Sequence, residues 1–186
     1  MEPWNIGRAL DNIVLLYDTR EQPTEKLKRR LEEFGGETLR TTLKFGDYSV
    51  GYREGDRVIS LQDKIVVERK NGLDELAMCL GRQRDRFCRE FLRAAEKGAT
   101  VYLLVENASW EKMFAGDYRS RMSPQSLIGS LLSWSARYKL NIIFCRAETT
   151  GKLLRKILHY NLRQILEEEG ENELESGGNQ GEDLHG

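Results

Sequence analysis

Lys64-Ile65-Val66-Val67-Glu68-Arg69-Lys70 is the stretch whose reading decides the fold. Its β-branched run, Lys64–Glu68, ends on charge and reads as a strand. On a strand, neighbouring side chains point to opposite faces and residues two apart share one. Glu68 and Lys70 therefore face one side and Arg69 the other. A carboxylate and an ammonium side by side at a strand end form a compact pair for work on a phosphate. The carboxylate suits a hard cation, and the lysine is a point charge on a flexible stem.

Elements of alternating type surround this strand. Upstream, Ile13–Tyr17 is a continuous apolar run, read as a first strand that stops at Asp18-Thr19-Arg20-Glu21. Leu27, Leu31 and Phe34 follow at helical spacing, and Gly35-Gly36 supplies a stop. Thr38–Leu43 reads as a second strand, and Phe45–Val50 as a turn entering a third. Gly51–Asp63 reads as a polar hairpin connection. Downstream, Leu73–Leu80 is a short helix, and after Gly81 a longer one runs to about Lys97. Thr100–Val105 is a fifth strand. Ser123-Pro124 has the form of a helix start, with Leu127, Leu131, Trp134 and Tyr138 along one face. Asn141–Phe144 is a sixth strand and Leu153–Leu166 a last amphipathic helix. The class is α/β, with a mixed central sheet flanked by helices. The helix between strands one and two favours a parallel pair there, and the short links among strands two to four favour antiparallel hairpins.

The chain has 186 residues and 39% hydrophobic content, enough for one compact domain. No apolar run approaches the roughly 20 residues needed to cross a bilayer. No secretory pattern is visible at Met1–Asp11, so a cytoplasmic protein without membrane association is expected. Cys79, Cys88 and Cys145 form an odd set with no CxxC pair, which argues against a disulfide framework or a structural zinc. The net charge of -1 hides an asymmetry. Residues Glu167–Gly186 hold eight acidic residues and no Lys or Arg. Removing those eight from the 30 acids leaves 22 against 29 bases, a charge of +7 for the rest. The expected division is one folded domain over 1–166 and an acidic, disordered tail over 167–186. A basic body suits a partner of high negative charge.

Acidic residues fall at or just past the strand ends: Asp18, Glu21, Asp47 and Glu68, with Asp74 opening the next helix. Carboxylates gathered at one sheet edge repel one another unless a cation joins them, and strand ends are where α/β sites are built. Each alone has a plainer reading. Asp47 suits a turn, Asp18–Glu21 a solvated loop, Glu68–Lys70 a polar strand end, and Asp74 a helix N-terminus. Together they stand at three successive sheet-edge positions.

That order resembles the XPF-like nucleases of the PD-(D/E)XK superfamily, whose signature has the form GDx(n)ERKxxxD. Here it stands as Gly46-Asp47 and then Glu68-Arg69-Lys70-Asn71-Gly72-Leu73-Asp74, and Asp18-Thr19-Arg20-Glu21 is similar to the family's D-x-R-E element. The likeness runs from about Ile13 to Leu166. It implies a restriction-endonuclease-like fold and metal-dependent cleavage of DNA, with Mg²⁺ or Mn²⁺. It implies Asp47 and Glu68 as metal ligands joined by Asp18, and Lys70 as the catalytic lysine. Glu21 would be a further acidic member of the catalytic set. Arg20 and Arg69 would be supporting basic residues, and Asp74 would hold Arg69 or Lys70 in place. The implied substrate is branched or flapped DNA with single-strand character, in repair or recombination. Many relatives append a tandem helix-hairpin-helix domain that binds DNA and joins two subunits. This sequence continues past Leu166 with the acidic stretch, so a stand-alone nuclease domain is expected, with a homodimer through its last two helices as one arrangement.

Arg82, Arg86, Arg89 and Arg93, spaced four, three and four apart, are expected to form one helical stripe that tracks phosphates, opposite a core face of Phe87, Phe91 and Ala95. No zinc finger, clear helix-turn-helix or RNP pattern is present, which favours reading of backbone and shape. Two other classes fit parts of the pattern. One is a nuclease of the same superfamily with a different habit, a junction resolvase or restriction enzyme. The other is a non-catalytic DNA-binding scaffold.

Overall fold

The computed structural model describes residues 3–178, and the side chains of residues 5–172. Strands β1 (Ile13–Asp18), β2 (Glu37–Thr41), β3 (Tyr48–Glu54), β4 (Arg57–Ser60), β5 (Ile65–Lys70), β6 (Thr100–Glu106) and β7 (Asn141–Cys145) form one sheet. Its order is β2-β1-β3-β5-β6-β7, with β4 pairing the far half of β3. β1–β2, β5–β6 and β6–β7 are parallel, and β3 is antiparallel to β1, β4 and β5. The helices are α1 (Pro3–Asp11), α2 (Glu25–Phe34), α3 (Leu73–Leu80), α4 (Arg84–Glu96), α5 (Trp110–Ala115), α6 (Pro124–Tyr138) and α7 (Thr150–Gly178). The α/β class with a mixed sheet flanked by helices is as expected.

The pleat sorts the core. Ile13, Leu15, Tyr48, Val50, Ile65, Val67 and Leu104 point to one face and pack against Leu27 and Phe34 of α2 and Leu154, Leu158 and Leu162 of α7. Val66, Leu103 and Val105 point to the other face. There they meet Leu76 and Leu80 of α3, Phe87 and Phe91 of α4, and Leu127, Leu131 and Trp134 of α6. Central strands must satisfy apolar neighbours on both sides, which is why β1 and β5 read as continuous apolar runs. Local signals set the helix ends. The Thr24 hydroxyl accepts from Leu27 N at 3.2 Å, and Gly35 closes α2 at φ 67°. Ser123 caps α6 with Pro124 at its first position, as the sequence indicated.

Several elements differ from the sequence reading. The second strand ends at Thr41, because Leu43 leaves it to bury against Val14 and Leu16. Strands two to four do not form a run of hairpins. The chain crosses the end of β1 between β2 and β3, so β1 lies between them. A short link permits a hairpin but does not require one. Gly51–Asp63 is not merely a connection, since it holds the rest of β3 and all of β4, turned at Gly55-Asp56. α1 and α5 were not foreseen. On α4 the buried face is Phe87, Phe91 and Ala94, while Leu92 and Ala95 are exposed. The last helix passes Glu167, where disorder was expected to begin, and continues to Gly178. Contacts explain the continuation. Leu166 and Gly170 are buried, Glu169 reaches Lys64 at 3.6 Å, and Arg163–Glu167 and Gln164–Glu168 pair one turn apart. The remainder of the expected tail, residues 179–186, lies outside the described residues.

The crossing is what positions Asp47. Its backbone N donates to Val67 O of β5 at 3.0 Å, and its carbonyl accepts from Asp18 N of β1 at 2.9 Å. The preceding Gly46 lies at φ +72°, against β5, and an added Cβ would stand 2.0 Å from Val66 Cγ2 and 3.2 Å from Val67 O. Only glycine combines that backbone conformation with that approach. We expect Gly46→Ala to destabilise the fold by about 2 kcal/mol or more, the range for overpacking against a buried strand. Urea unfolding checks this, and a change within a few tenths of a kcal/mol would show that the crossing can shift freely.

Candidate active site

The face of the sheet that carries α3 and α4 opens at its edge into a cleft of about 290 Å³. Arg20, Asp47, Glu68 and Lys70 line it from the sheet, Glu75, Met78 and Cys79 from α3, and Gln83, Arg86, Phe87 and Glu90 from the start of α4. The sequence order Asp47, Glu68, Lys70 thus becomes one surface, and Glu68 and Lys70 share a face as the strand period requires.

Lys70 is the hub. Its Nζ donates to Glu68 Oε1 at 2.5 Å, lies 3.7 Å from Glu75 Oε1, and sits 4.8 Å from the centre of the Phe87 ring. Burial alone would discharge this amine. The negative charges of Glu68 and Asp47 outweigh it and push the Lys70 pKa above its ordinary value, so the ammonium persists. The carboxylates show the opposite balance. Burial first, then the charge of Glu68, pushes Asp47 up to about 8, against the pull of Lys70 and a hydrogen bond from Arg69 N at 2.8 Å. Burial likewise raises Glu68, partly offset by Lys70. Two carboxylates that burial drives toward protonation form a site that a cation relieves.

Other expected site residues stand elsewhere. Asp18 is buried, and its oxygens are already engaged. Oδ1 accepts from Arg20 N at 2.8 Å and Arg20 Nε at 2.5 Å, and Oδ2 accepts from Leu43 N at 2.7 Å. Burial opposes its charge, but the Arg20 side-chain bond and the two backbone bonds outweigh it and lower its pKa. Asp18 is a clamp on the crossing and on Arg20, its carboxylate accepting three hydrogen bonds. Glu21 joins the opposite side of the sheet. Its Oε2 accepts from the Tyr48 hydroxyl at 2.7 Å and from Arg30 at 3.4 Å. Arg69 also points there and donates to Glu106 Oε2 at 3.2 Å. Glu106 in turn accepts from Arg30 at 3.3 Å and the Thr150 hydroxyl at 2.7 Å.

Asp74 holds neither Arg69 nor Lys70. It accepts from Arg119 N at 2.7 Å, Arg119 Nε at 3.0 Å and Ser120 N at 2.9 Å, tying down the loop before α6. The next residue, Glu75, approaches Lys70 and accepts from Asn71 N at 2.8 Å. On a helix that step of about 100° carries Asp74 away from the cleft. Glu75 and Glu90 are members that the sequence reading missed. Glu75 stands three positions past Gly72 at the start of α3, a capping position, and Glu90 is hidden among the arginines of α4. The arginine stripe divides. Arg86 lines the cleft and pairs with Glu90 at 3.3 Å, Arg89 and Arg93 are exposed along α4, and Arg82 lies in the turn before it.

Residues 17–157, well over half of the chain, match the ERCC4 domain. The chain belongs to the ERCC4 domain family. That is the XPF-like membership which the motif implied, and it carries the coarse assignment of a nuclease domain acting on DNA. Among solved structures, XPF from Aeropyrum pernix is similar, with a TM-score of 0.59 and 22% identity over 84% of this chain and 69% of that one. XPF from Aeropyrum pernix in complex with DNA is similar, with a TM-score of 0.54 and 22% identity over 83% of this chain and 65% of that one. At that identity the likeness speaks for the fold. No curated protein sequence matches. No helix among the described residues is long and apolar enough to cross a membrane.

The raised Asp47 gives this ERCC4 domain a pH signature. A carboxyl whose folded pKa lies above its unfolded value stabilises most below the unfolded value, and that contribution is lost as pH rises through the folded one. Without divalent ions, stability should therefore fall between about pH 4 and about pH 8. Asp47→Asn should flatten this fall and raise the melting temperature at the alkaline end, since the amide oxygen can still accept from Arg69 N. Thermal unfolding in EDTA across that range checks it, and equal pH profiles for the two proteins would contradict it.

Proposed function

We propose that this ERCC4 domain is a divalent-metal-dependent endonuclease that hydrolyses phosphodiester bonds in branched or flapped DNA, in repair or recombination. The observation that carries the reading is the charged Lys70 held with Asp47 and Glu68 on one cleft wall.

Asp47 and Glu68 would hold the ion, Mg²⁺ or Mn²⁺. Among the described residues no three acidic, histidine or cysteine side chains close round a metal. A pair nevertheless fits a hard cation that keeps water and substrate oxygens for its remaining positions. When bound, such an ion supplies Lewis acidity at the phosphate and makes water a better nucleophile. The chain's own groups do the rest. Lys70, parted from Glu68 as the substrate enters, directs its N–H bonds to the scissile phosphate or to the attacking water and offsets charge as it builds up. Asp18 orients Arg20 at the rim, and Arg20 and Arg86 are placed to take neighbouring phosphates. Arg89 and Arg93 extend this contact along α4. Contacts of this kind read backbone and shape, which supports a bendable, branched substrate. A homodimer through the last two helices belongs to the same proposal, and Leu132 of α6 and Tyr160 of α7 are exposed there.

The test is a panel of flap, fork, four-way and linear duplex DNA, with and without Mg²⁺ or Mn²⁺. Metal-dependent cutting of branched forms is expected. Cutting of plain duplex at one sequence would indicate a restriction habit, cutting of the four-way form alone a resolvase, and no cutting by folded protein a scaffold. Asp47→Asn and Glu68→Gln should each lower cleavage by roughly a hundredfold or more while DNA affinity stays near wild type. Lys70→Ala should lower turnover far more than metal affinity, as measured by calorimetry with Mn²⁺. Equal losses would move Lys70 to a structural role.

A further inference from the structure

Beside the cleft, across Met78, lies a second and wider groove of about 1170 Å³. Met78 lines both cavities, so the two adjoin. Arg82 stands on one side of the groove, and Arg119 and Arg121 stand on the loop opposite. All three are exposed, and among the described residues neither Arg82 nor Arg121 makes an ion pair. The acid in the groove, Asp74, spends its carboxylate on Arg119 and Ser120 of that loop. The floor is different in kind. Met78 is 45% exposed and Met122 is half-buried, a patch of apolar surface between cations.

We propose that this groove binds a single strand of DNA leaving the cleft, with its phosphates on Arg82, Arg119 and Arg121 and its bases against Met78 and Met122. The assignment rests on the nuclease reading of the adjoining site. Duplex DNA turns phosphate outward and offers an apolar floor nothing to bury. An unpaired strand offers both a charged backbone and free base faces, and single-strand sites combine a basic groove with apolar or aromatic platforms in this way. Asp74 is then a positioning residue. It fixes the loop at a set distance from α3 and so holds the groove open, which gives the last acid of the motif a task at the substrate although it does not reach the cleft.

The experiment measures the affinity of the full chain in EDTA, where nothing is cut, for forks whose single-stranded arm has no, about four or about eight nucleotides. Wild type should bind more tightly as the arm grows. Arg119→Ala with Arg121→Ala should lose that dependence, and the salt slope for the long-armed fork should fall by about 0.7 for each arginine removed. Lysine at both positions should restore most of it, because phosphate contacts require charge. Asp74→Ala should weaken binding of long arms more than of armless duplex. An arm-length dependence equal in wild type and the double alanine variant would overturn the proposal, as would one that lysine fails to rescue. Cleavage with metal is read separately. A chain that cuts branched DNA yet ignores arm length refutes the groove alone, and one that binds arms through these arginines and cuts nothing refutes the nuclease reading alone.

Discussion

A buried ammonium with two carboxylates beside it is the constraint on which the rest of this structure depends. Burial would discharge Lys70 in its position but for Glu68 at 2.5 Å and Asp47 nearby, and the same burial raises both carboxylates even with Lys70 beside them, which a further cation would relieve. Groups of this kind weaken a fold more than they support it, since the cost of removing charge from water rivals or exceeds the attraction regained. The molecule offsets that cost elsewhere. Two apolar clusters, one on each face of the sheet, are built from the strands that carry the site, and the ring of Phe87 covers the ammonium. The cleft is thus a polar interruption at the edge of a well-filled core.

The opposite face answers the same problem differently. Arg69, between Glu68 and Lys70 in sequence, turns away into a buried set with Glu106, Arg30, Tyr48, Glu21 and Thr150. Here two arginines face two carboxylates, with only the arginine Nε atoms left without a partner among the described residues, and the set joins α2, α7, β3, β5 and β6. Truncating Glu106 would strip Arg69 of its carboxylate partner and leave Arg30 to Glu21 and Tyr48, and breaking one side of a buried pair costs about 3–5 kcal/mol. The same arginine reaches the cleft by its backbone, since Arg69 N bonds Asp47 Oδ2. One residue therefore ties the unreactive network to the proposed catalytic pair.

Much of this was legible in the sequence because it rests on local rules. The strand period placed Glu68 and Lys70 together and Arg69 apart, and the Ser123-Pro124 start and the apolar runs of β1, β5 and β6 announced themselves. What was hidden depends on contacts between distant segments. A carboxylate looks the same in a sequence whether it faces open cleft, as Asp47 does, or is consumed by backbone N–H groups, as Asp18 is. The contacts of Glu21 could not be read because its partners, Tyr48 and Arg30, arrive from elsewhere in the chain. β4 and α5 are short and only partly apolar, so composition gave little to read. The helix beyond Glu167 is supported by packing at Leu166 and Gly170 that no acidic tract displays on its own.

The alternation along β5 also limits how this chain can vary over evolution. Its two functions, reactive on one face and structural on the other, are interleaved one residue at a time from Val66 to Lys70. Substitution can be absorbed at single positions, but length cannot. Inserting or deleting one residue there would invert every side chain beyond it, delivering Arg69 to the cleft and the Glu68–Lys70 pair to the α2–α7 interior. Within this segment, then, gaps should be far scarcer among descendants than exchanges, whereas the Gly55-Asp56 turn, remote from both assemblies, is free to grow or shrink.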